Sequence, residues 1–158
     1  MTIRKVSLLL VAALLPGEIL VAQLTPVAAA PVPACTRSGT DRNDAVRGTP
    51  GRDVLCGLLG DDSLIGFDGD DVLRGDAGSD LLRGGGGRDE LLGGPGNDVL
   101  MGGPAHDVLN GDDGDDLLID PDGDDLLIGG AGEDRCVGRP TTVFVGCERV
   151  VVAGRSVR

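Results

Sequence analysis

A nine-residue unit, repeated without interruption, decides what this chain can fold into. Eleven copies run from Gly39 to Val137, and Gly93–Met101 (GGPGNDVLM) shows the pattern. The sixth residue of every copy is aspartate, and the eighth is Val46 in the first copy, leucine in the next nine and Cys136 in the last. Short tandem repeats form solenoids in which each unit packs only against its neighbours. The chain is therefore predicted to be a stacked, repetitive structure.

The composition argues against an ordinary globular core and points to a metal. The chain has 28 glycines, no Trp or Tyr and only 2 Phe, so few large side chains are available for packing. Its formal charge of −12 argues against nucleic acid or an anionic membrane surface as a partner. A chain so rich in glycine and carboxylates would lie close to disorder without a staple. A divalent cation would supply one.

Each copy is predicted to contain six turn residues followed by three strand residues. Glycine occupies the first position in ten copies and the fourth in nine, which indicates positive φ angles or close approach of chains at these positions. The last three residues alternate outward, inward, outward as a strand does, so the eighth points into the core. Successive copies then lie on opposite sides, and one coil contains two copies. The predicted fold is an all-β solenoid of two facing parallel sheets.

This arrangement stacks the sixth-position aspartates along two edges, about 4.8 Å apart. Unscreened, each pair of stacked charges costs on the order of 1 kcal/mol or more even at high dielectric. Among common metal ions, Ca²⁺ is best suited to neutralise this repulsion. It accepts about six to eight oxygen ligands in flexible geometry, and glycine-rich turns expose carbonyl oxygens as ligands. Mg²⁺ demands a stricter octahedron, and zinc would need more than the single histidine of this chain. We therefore predict several Ca²⁺ ions, held on one edge by Asp44, Asp62, Asp80, Asp98, Asp116 and Asp134 and on the other by Asp53, Asp71, Asp89, Asp107 and Asp125.

The gaps between stacked loops are not equivalent. Six loops on one edge leave five gaps and five loops on the other leave four, so nine gaps can be ranked by their glycines. Three gaps contain Arg42, Ala105 or Asp120 in place of glycine, and alanine in a left-handed conformation costs about 1–2 kcal/mol. The six gaps with complete glycines are Asp62–Asp80, Asp80–Asp98, Asp98–Asp116, Asp116–Asp134, Asp53–Asp71 and Asp71–Asp89.

Residues 39–137 resemble the RTX (repeats-in-toxin) nonapeptide family, whose motif is G-G-x-G-x-D followed by x-aliphatic-x. The resemblance implies a parallel β-roll that binds Ca²⁺ between turns through the aspartate carboxylate and turn carbonyls. The flanking cysteines and the tail around Gly146–Val150 are similar to those of small secreted calcium-binding proteins of actinobacteria. The larger toxins of the family use a C-terminal export signal and carry a toxin or hydrolase domain. Here we expect an N-terminal signal and no catalytic domain.

The N-terminal segment is predicted to be a secretory signal peptide, residues 1–29. Basic residues precede an apolar run from Val6 to Leu15, and small residues follow at 27–30. The alternative is an uncleaved anchor, but Pro16 interrupts the apolar run well short of a membrane span. We expect a secreted chain with no membrane span after cleavage. Its remaining parts are an N-terminal cap at 30–38, the calcium-binding β-roll at 39–137 and a C-terminal cap at 138–158.

Four cysteines in an exported chain predict two disulfides. If the chain before Gly39 is a degenerate repeat, it stacks beside the second copy and brings Cys35 next to Cys56. Pairing of Cys35 with Cys56 and of Cys136 with Cys147 would clamp both ends of the roll. Free buried thiols, or lipidation of Cys35, are the alternatives. The segment 141–145 is predicted to be a strand that folds back over the open end of the roll.

No constellation of catalytic residues is apparent, so we predict that the protein is not an enzyme. His106 is the only imidazole and occupies the variable fifth turn position. We predict a calcium-binding repeat protein whose folding is coupled to Ca²⁺. The alternative is a cell-surface or matrix interaction module in which calcium is purely structural, with self-association or an unidentified surface partner. It is suggested by outward aliphatic pairs such as Val99 with Met101 and Leu117 with Ile119.

Overall fold

Strands alternate between two parallel sheets along residues 33–153, the part of the chain that the computed structural model describes. Sheet A contains, in spatial order, β1 (Arg37–Ser38), β3 (Val54–Leu59), β5 (Val72–Ala77), β7 (Glu90–Pro95), β9 (Val108–Asp113), β11 (Leu126–Ala131) and β13 (Val143–Val145). Sheet B contains β2 (Ala45–Arg47), β4 (Ser63–Asp68), β6 (Leu81–Gly86), β8 (Val99–Met101), β10 (Leu117–Asp120), β12 (Arg135–Gly138) and β14 (Arg149–Val152).

The register confirms the predicted coil. Leu55 lies opposite Leu73 in sheet A, and Leu64 lies opposite Leu82 in sheet B, so neighbouring strands are 18 residues apart in the sequence. The protein is therefore an all-β parallel solenoid. No helix long and apolar enough to cross a membrane is found among the described residues. The predicted signal peptide, residues 1–29, lies outside them.

The core is a single column of side chains between the two sheets. The leucine of the eighth position is fully buried in nine consecutive copies, from Leu55 to Leu127, and Val46 and Cys136 extend the column at its ends. Burying one leucine contributes about 1.5–3 kcal/mol. Ordering the backbone of a nine-residue copy costs several times as much, at about 1–2 kcal/mol per residue. A core one side chain wide therefore needs a further source of stability.

The strands are longer than the sequence predicted. Seven of them contain six residues, so β3 continues from the last three positions of one copy through the first three of the next. The first-position glycine thus lies in the strand, two residues after the leucine and on the same inward side. Gly57 and Gly66 are buried at this position, where the absence of a side chain lets the backbone pack closely. Only the fourth to sixth positions remain as the turn.

Both predicted disulfides are present, one near each end of the roll. Cys35 is bonded to Cys56 with 6.0 Å between Cα atoms, and Cys136 is bonded to Cys147 with 5.9 Å. Strand β1, two residues after Cys35, pairs with β3, as expected for a degenerate first repeat. No free cysteine remains in the described part of the chain.

The prediction that the tail folds back over the open end was wrong. Strand β13 pairs in parallel with β11, and β14 pairs in parallel with β12, so the tail continues both sheets by one further coil. Phe144 lies opposite Leu127 and packs against the end of the core. Parallel addition satisfies the N–H and C=O groups that the edges of β11 and β12 would otherwise leave unpaired.

Candidate metal centre

The sixth-position aspartates form two buried ladders, one on each edge of the roll. From Asp62 to Asp134 each carboxylate is at most 3 % exposed, although it lies in a turn. One oxygen, Oδ1, accepts the backbone N–H of the aspartate one coil earlier. The Asp80 amide donates to Asp98 at 2.7 Å and the Asp71 amide donates to Asp89 at 2.9 Å. These bonds fix every carboxylate between two coils.

The second carboxylate oxygen, Oδ2, has no partner in nine of these residues. A buried carboxylate oxygen that has lost water and gained no donor is costly, so its position calls for a cation. Within residues 33–153 the buried Oδ2 atoms without a hydrogen-bond partner in the two ladders belong to Asp62, Asp71, Asp80, Asp89, Asp98, Asp107, Asp116, Asp125 and Asp134.

The first-position glycines leave a small space beside each of these oxygens. A Cβ atom at Gly66 would collide with Asp71 Oδ2 and lie 2.5 Å from the carbonyl oxygen of Gly84, one coil further on. At Gly75 the same place faces Asp80 Oδ2 and lies 2.6 Å from the Gly93 carbonyl oxygen. Ca²⁺ binds oxygens at about 2.3–2.6 Å. The carboxylate oxygen of one coil and the carbonyl oxygen of the next therefore lie close enough together to be ligands of one calcium ion shared by two coils.

The two sets of repeat glycines serve different purposes. The fourth-position glycines from Gly60 onward adopt positive φ, such as 141° at Gly78, and so form the turn, whereas Gly51 does not. Gly66 and Gly75 are not among the described residues with positive φ, so glycine is needed there for the space beside it.

Replacing Gly66 with alanine should lower calcium binding, because the new Cβ atom would press on Asp71 Oδ2 and on the Gly84 carbonyl oxygen 2.5 Å away. The new methyl group would fill the space beside Asp71 Oδ2, so we expect a lower calcium count and a lower melting temperature in calcium. Gly51→Ala is the matched control, because a Cβ there meets no atom within 4 Å. Isothermal titration and thermal denaturation of both variants measure the difference. An equal calcium count in the two variants would contradict the placement of the ion.

Burial raises the pKa values of the ladder carboxylates. The pKa of Asp98 rises to about 7, because desolvation outweighs the hydrogen bond from the Asp80 amide and the Asp116 and Asp80 carboxylates add repulsion. The pKa of Asp89 and that of Asp116 rise to about 6 for the same reasons. A hard cation beside these groups would favour their ionised form and reverse the effect.

A comparison with known proteins identifies the family. The model of the RTX calcium-binding nonapeptide repeat matches the chain in five overlapping segments, at residues 38–66, 48–82, 65–100, 92–119 and 110–139. The chain belongs to the RTX calcium-binding repeat family. It is thus a calcium-binding repeat protein, with calcium ions as its partners. No curated protein matches the chain significantly.

The first two loops of this RTX roll differ from the others. Asp44 Oδ2 accepts the amide and the hydroxyl of Thr40, and Asp53 Oδ2 accepts those of Thr49 at 2.6 and 2.8 Å. These bonds, led by the Thr40 hydroxyl and the Thr49 amide, lower the pKa of both aspartates. Judged by its glycines alone, the gap between Asp53 and Asp71 was ranked among the six complete gaps. Threonine at the second position, found only in these two copies, is the signal that sets their carboxylates apart.

The tail adds a gap that the nine-residue period does not predict. Glu148 Oε2 accepts the Asp134 amide at 2.7 Å, as an aspartate of a further coil would. A Cβ atom at Gly129 would lie 2.5 Å from both Asp134 Oδ2 and the Gly146 carbonyl oxygen. The spacing from Asp134 to Glu148 is 14 residues instead of 18, which is why the period missed it.

Asp120 was expected to weaken its gap, but the structure turns its carboxylate inward. It occupies the first position of its copy, where the other ten copies have glycine, and it is 0 % exposed. Asp107, Asp120 and Asp125 each have a carboxylate oxygen within 4.8 Å of the other two. Burial, together with repulsion from Asp125 and Asp107, raises the pKa of Asp120 to about 8. Ala105 in the same gap keeps the turn, at a φ of 97°.

The fifth-position side chains form an outer ladder of hydrogen-bond acceptors. Asp61 Oδ1 accepts the Ser79 amide at 2.9 Å, and Asn97 Oδ1 accepts the Asp115 amide at 3.1 Å. His106 Nδ1 lies 3.1 Å from the Asp124 amide nitrogen and acts in the same way. The only histidine of the chain thus holds a turn amide.

Proposed function

We propose that this RTX protein is a secreted calcium binder that, at neutral pH, folds only when Ca²⁺ occupies the gaps between its coils. The row of nine buried, unpartnered carboxylate oxygens carries the proposal. Without cations the folded roll must bury and stack these charges, whereas the unfolded chain leaves them hydrated and far apart. Calcium bound only by the folded state supplies the missing free energy, so binding and folding occur together.

We propose secretion on the basis of the N-terminal segment and the two disulfides. Residues 1–29 have the charge, apolar run and small-residue ending of a signal peptide. The two disulfides suit an oxidising compartment outside the cytosol. We further propose that the protein acts by binding and not by catalysis. Mass spectrometry of protein recovered from the culture medium checks the export signal, since the secreted chain should begin at Ala30.

The interaction-module alternative rested on outward aliphatic side chains. In the structure Leu117 lies beside Val99, and Ile119 lies beside Met101, in neighbouring strands of sheet B. Each of these side chains is half-buried by its neighbours in the ladder. Cross-strand packing of this kind accounts for them without a partner.

Calcium titration of residues 30–158 tests the coupling. Circular dichroism and free calcium are followed in the same sample, starting from metal-free buffer at pH 7.5. β structure and bound calcium should rise together and cooperatively. Mg²⁺ at equal concentration is the control, and it should produce little folding because it keeps its water ligands. A full β spectrum before any calcium is added would refute the coupling.

A further inference from the structure

One gap of the roll contains more carboxylates than the gaps beside it. Asp120 is wholly buried between the loops of Asp107 and Asp125, which are themselves 2 % and 3 % exposed. Within the described residues, both oxygens of Asp120 and the Oδ2 atoms of the other two lack a hydrogen-bond partner. One carboxylate oxygen of each of the three residues lies within 4.8 Å of the other two, so the three carboxylates converge on one closed space.

The ordinary gaps combine different ligands. At Gly66 the space is bounded by the carboxylate of one coil and the carbonyl oxygen of the next. At Gly102 the atoms nearest to the place that a Cβ would take are Asp120 Oδ2 and, at 2.6 Å, Asp107 Oδ2. A charged oxygen from Asp120 therefore occupies the place that a neutral carbonyl has elsewhere.

Among residues 33–153 no cationic side chain forms a salt bridge with this cluster. The only salt bridge in that range joins Arg149 and Glu133 on the surface. His106 and Arg139 act on Asp125 only as more distant charges. Three buried carboxylates without a counter-charge destabilise a fold. A bound cation would turn this arrangement into a coordination site.

We propose that Asp107, Asp120 and Asp125 form a tricarboxylate site that binds Ca²⁺ more tightly than the other gaps of the roll. The inference rests on the proposed function, in that it takes the gaps to be calcium sites. The affinity of an oxygen site for calcium rises with the number of charged ligands. Asp120 gives this gap a third carboxylate. The gap should therefore bind Ca²⁺ at the lowest calcium concentration and release it last. The same three charges favour a trivalent ion of similar size over Ca²⁺.

Asp120→Gly is the decisive variant, because it restores the glycine that the other ten copies carry. Asp120→Asn removes the charge and keeps the shape. Asp124→Asn is the matched control, since it removes the same charge from an exposed side chain of the same loop. Isothermal calcium titration of each chain should show one tight ion in the wild type. Both Asp120 variants should bind that ion about tenfold more weakly or worse, and the control should change by a few-fold at most.

Ion selectivity separates a ligand from a merely structural residue. One equivalent of Tb³⁺ added to the calcium-loaded wild type should release one equivalent of Ca²⁺, read with a calcium electrode. The Asp120→Gly chain should release much less. Circular dichroism in saturating calcium verifies that each variant is folded, and Asp120→Gly keeps the test valid if Asp120→Asn misfolds.

Two results would overturn the site. Equal calcium affinities for Asp120→Gly and Asp124→Asn would show that Asp120 is not a ligand. Tighter binding by Asp120→Gly than by the wild type would show that Asp120 weakens the gap. A wild-type roll that stays folded in metal-free buffer would refute the coupling of folding to calcium, yet the tight ion could still be measured, so the two failures are distinguishable.

Discussion

In metal-free buffer the mature chain should be unfolded at pH 7.5 and should gain β structure as the pH falls towards 5. The folded roll raises the pKa of Asp98 to about 7 and those of Asp89, Asp107 and Asp116 to about 6, against an ordinary value of 3.8. Between about pH 4 and pH 7 the folded chain therefore binds more protons than the unfolded chain. The free energy of unfolding falls as the pH rises through this window, because protonation favours the folded state.

Calcium should reverse this dependence. The ion binds the ionised carboxylates and competes with their protons, so in saturating calcium the roll should become more stable as the pH rises from 5 to 7.5. Circular dichroism of the same sample across this range, with and without calcium, measures both trends. Asp44 and Asp53 have pKa values lowered from 3.8, so they remain ionised across this range and do not affect the trend. More β structure at pH 7.5 than at pH 5 without metal would contradict the prediction.

The nine-residue period was sufficient to predict the sheets and the ladders. The leucine at the eighth position must point into the core, and the aspartate at the sixth must point to the edge. A stacked coil gives these two side chains the same directions in every copy. Leu55 and Leu73 therefore pair as predicted. Cys35 and Cys56 could be paired for the same reason, since stacking alone brings them together.

What the period missed are residues that depart from it. Asp120 counted as a defect because glycine was absent, and only the direction of its side chain shows that it adds a carboxylate to the gap. The repeat pattern did not single out Thr49, whose amide and hydroxyl both donate to Asp53 Oδ2. Glu148 follows a shorter spacing than the repeats and was not recognisable without the pairing of β14. In each of these three cases, the role of the residue depends on the direction of one side-chain oxygen, which the repeat pattern does not give.

Alanine at Asp98 should destabilise the calcium-loaded roll far more than alanine at Asp44. Asp98 is 1 % exposed, its Oδ1 accepts the Asp80 amide, and its Oδ2 lies in the space beside Gly93. Truncation removes a proposed calcium ligand and leaves a buried amide without its acceptor, which alone costs about 1–3 kcal/mol. We expect at least one calcium ion fewer and a melting temperature lower by about 10 °C or more.

Asp44→Ala is the control at the end of the same ladder. Its carboxylate is satisfied by the amide and hydroxyl of Thr40, so its loss should cost only a few degrees and no central ion. Asp98→Asn separates the two roles of Asp98, because an amide oxygen can still accept the Asp80 N–H but supplies no charge to the ion. A calcium count lowered in Asp98→Asn, with a smaller loss of stability than in Asp98→Ala, is the expected result. Equal calcium counts and melting temperatures in Asp98→Ala and Asp44→Ala would mean that the buried ladder does not hold the metal.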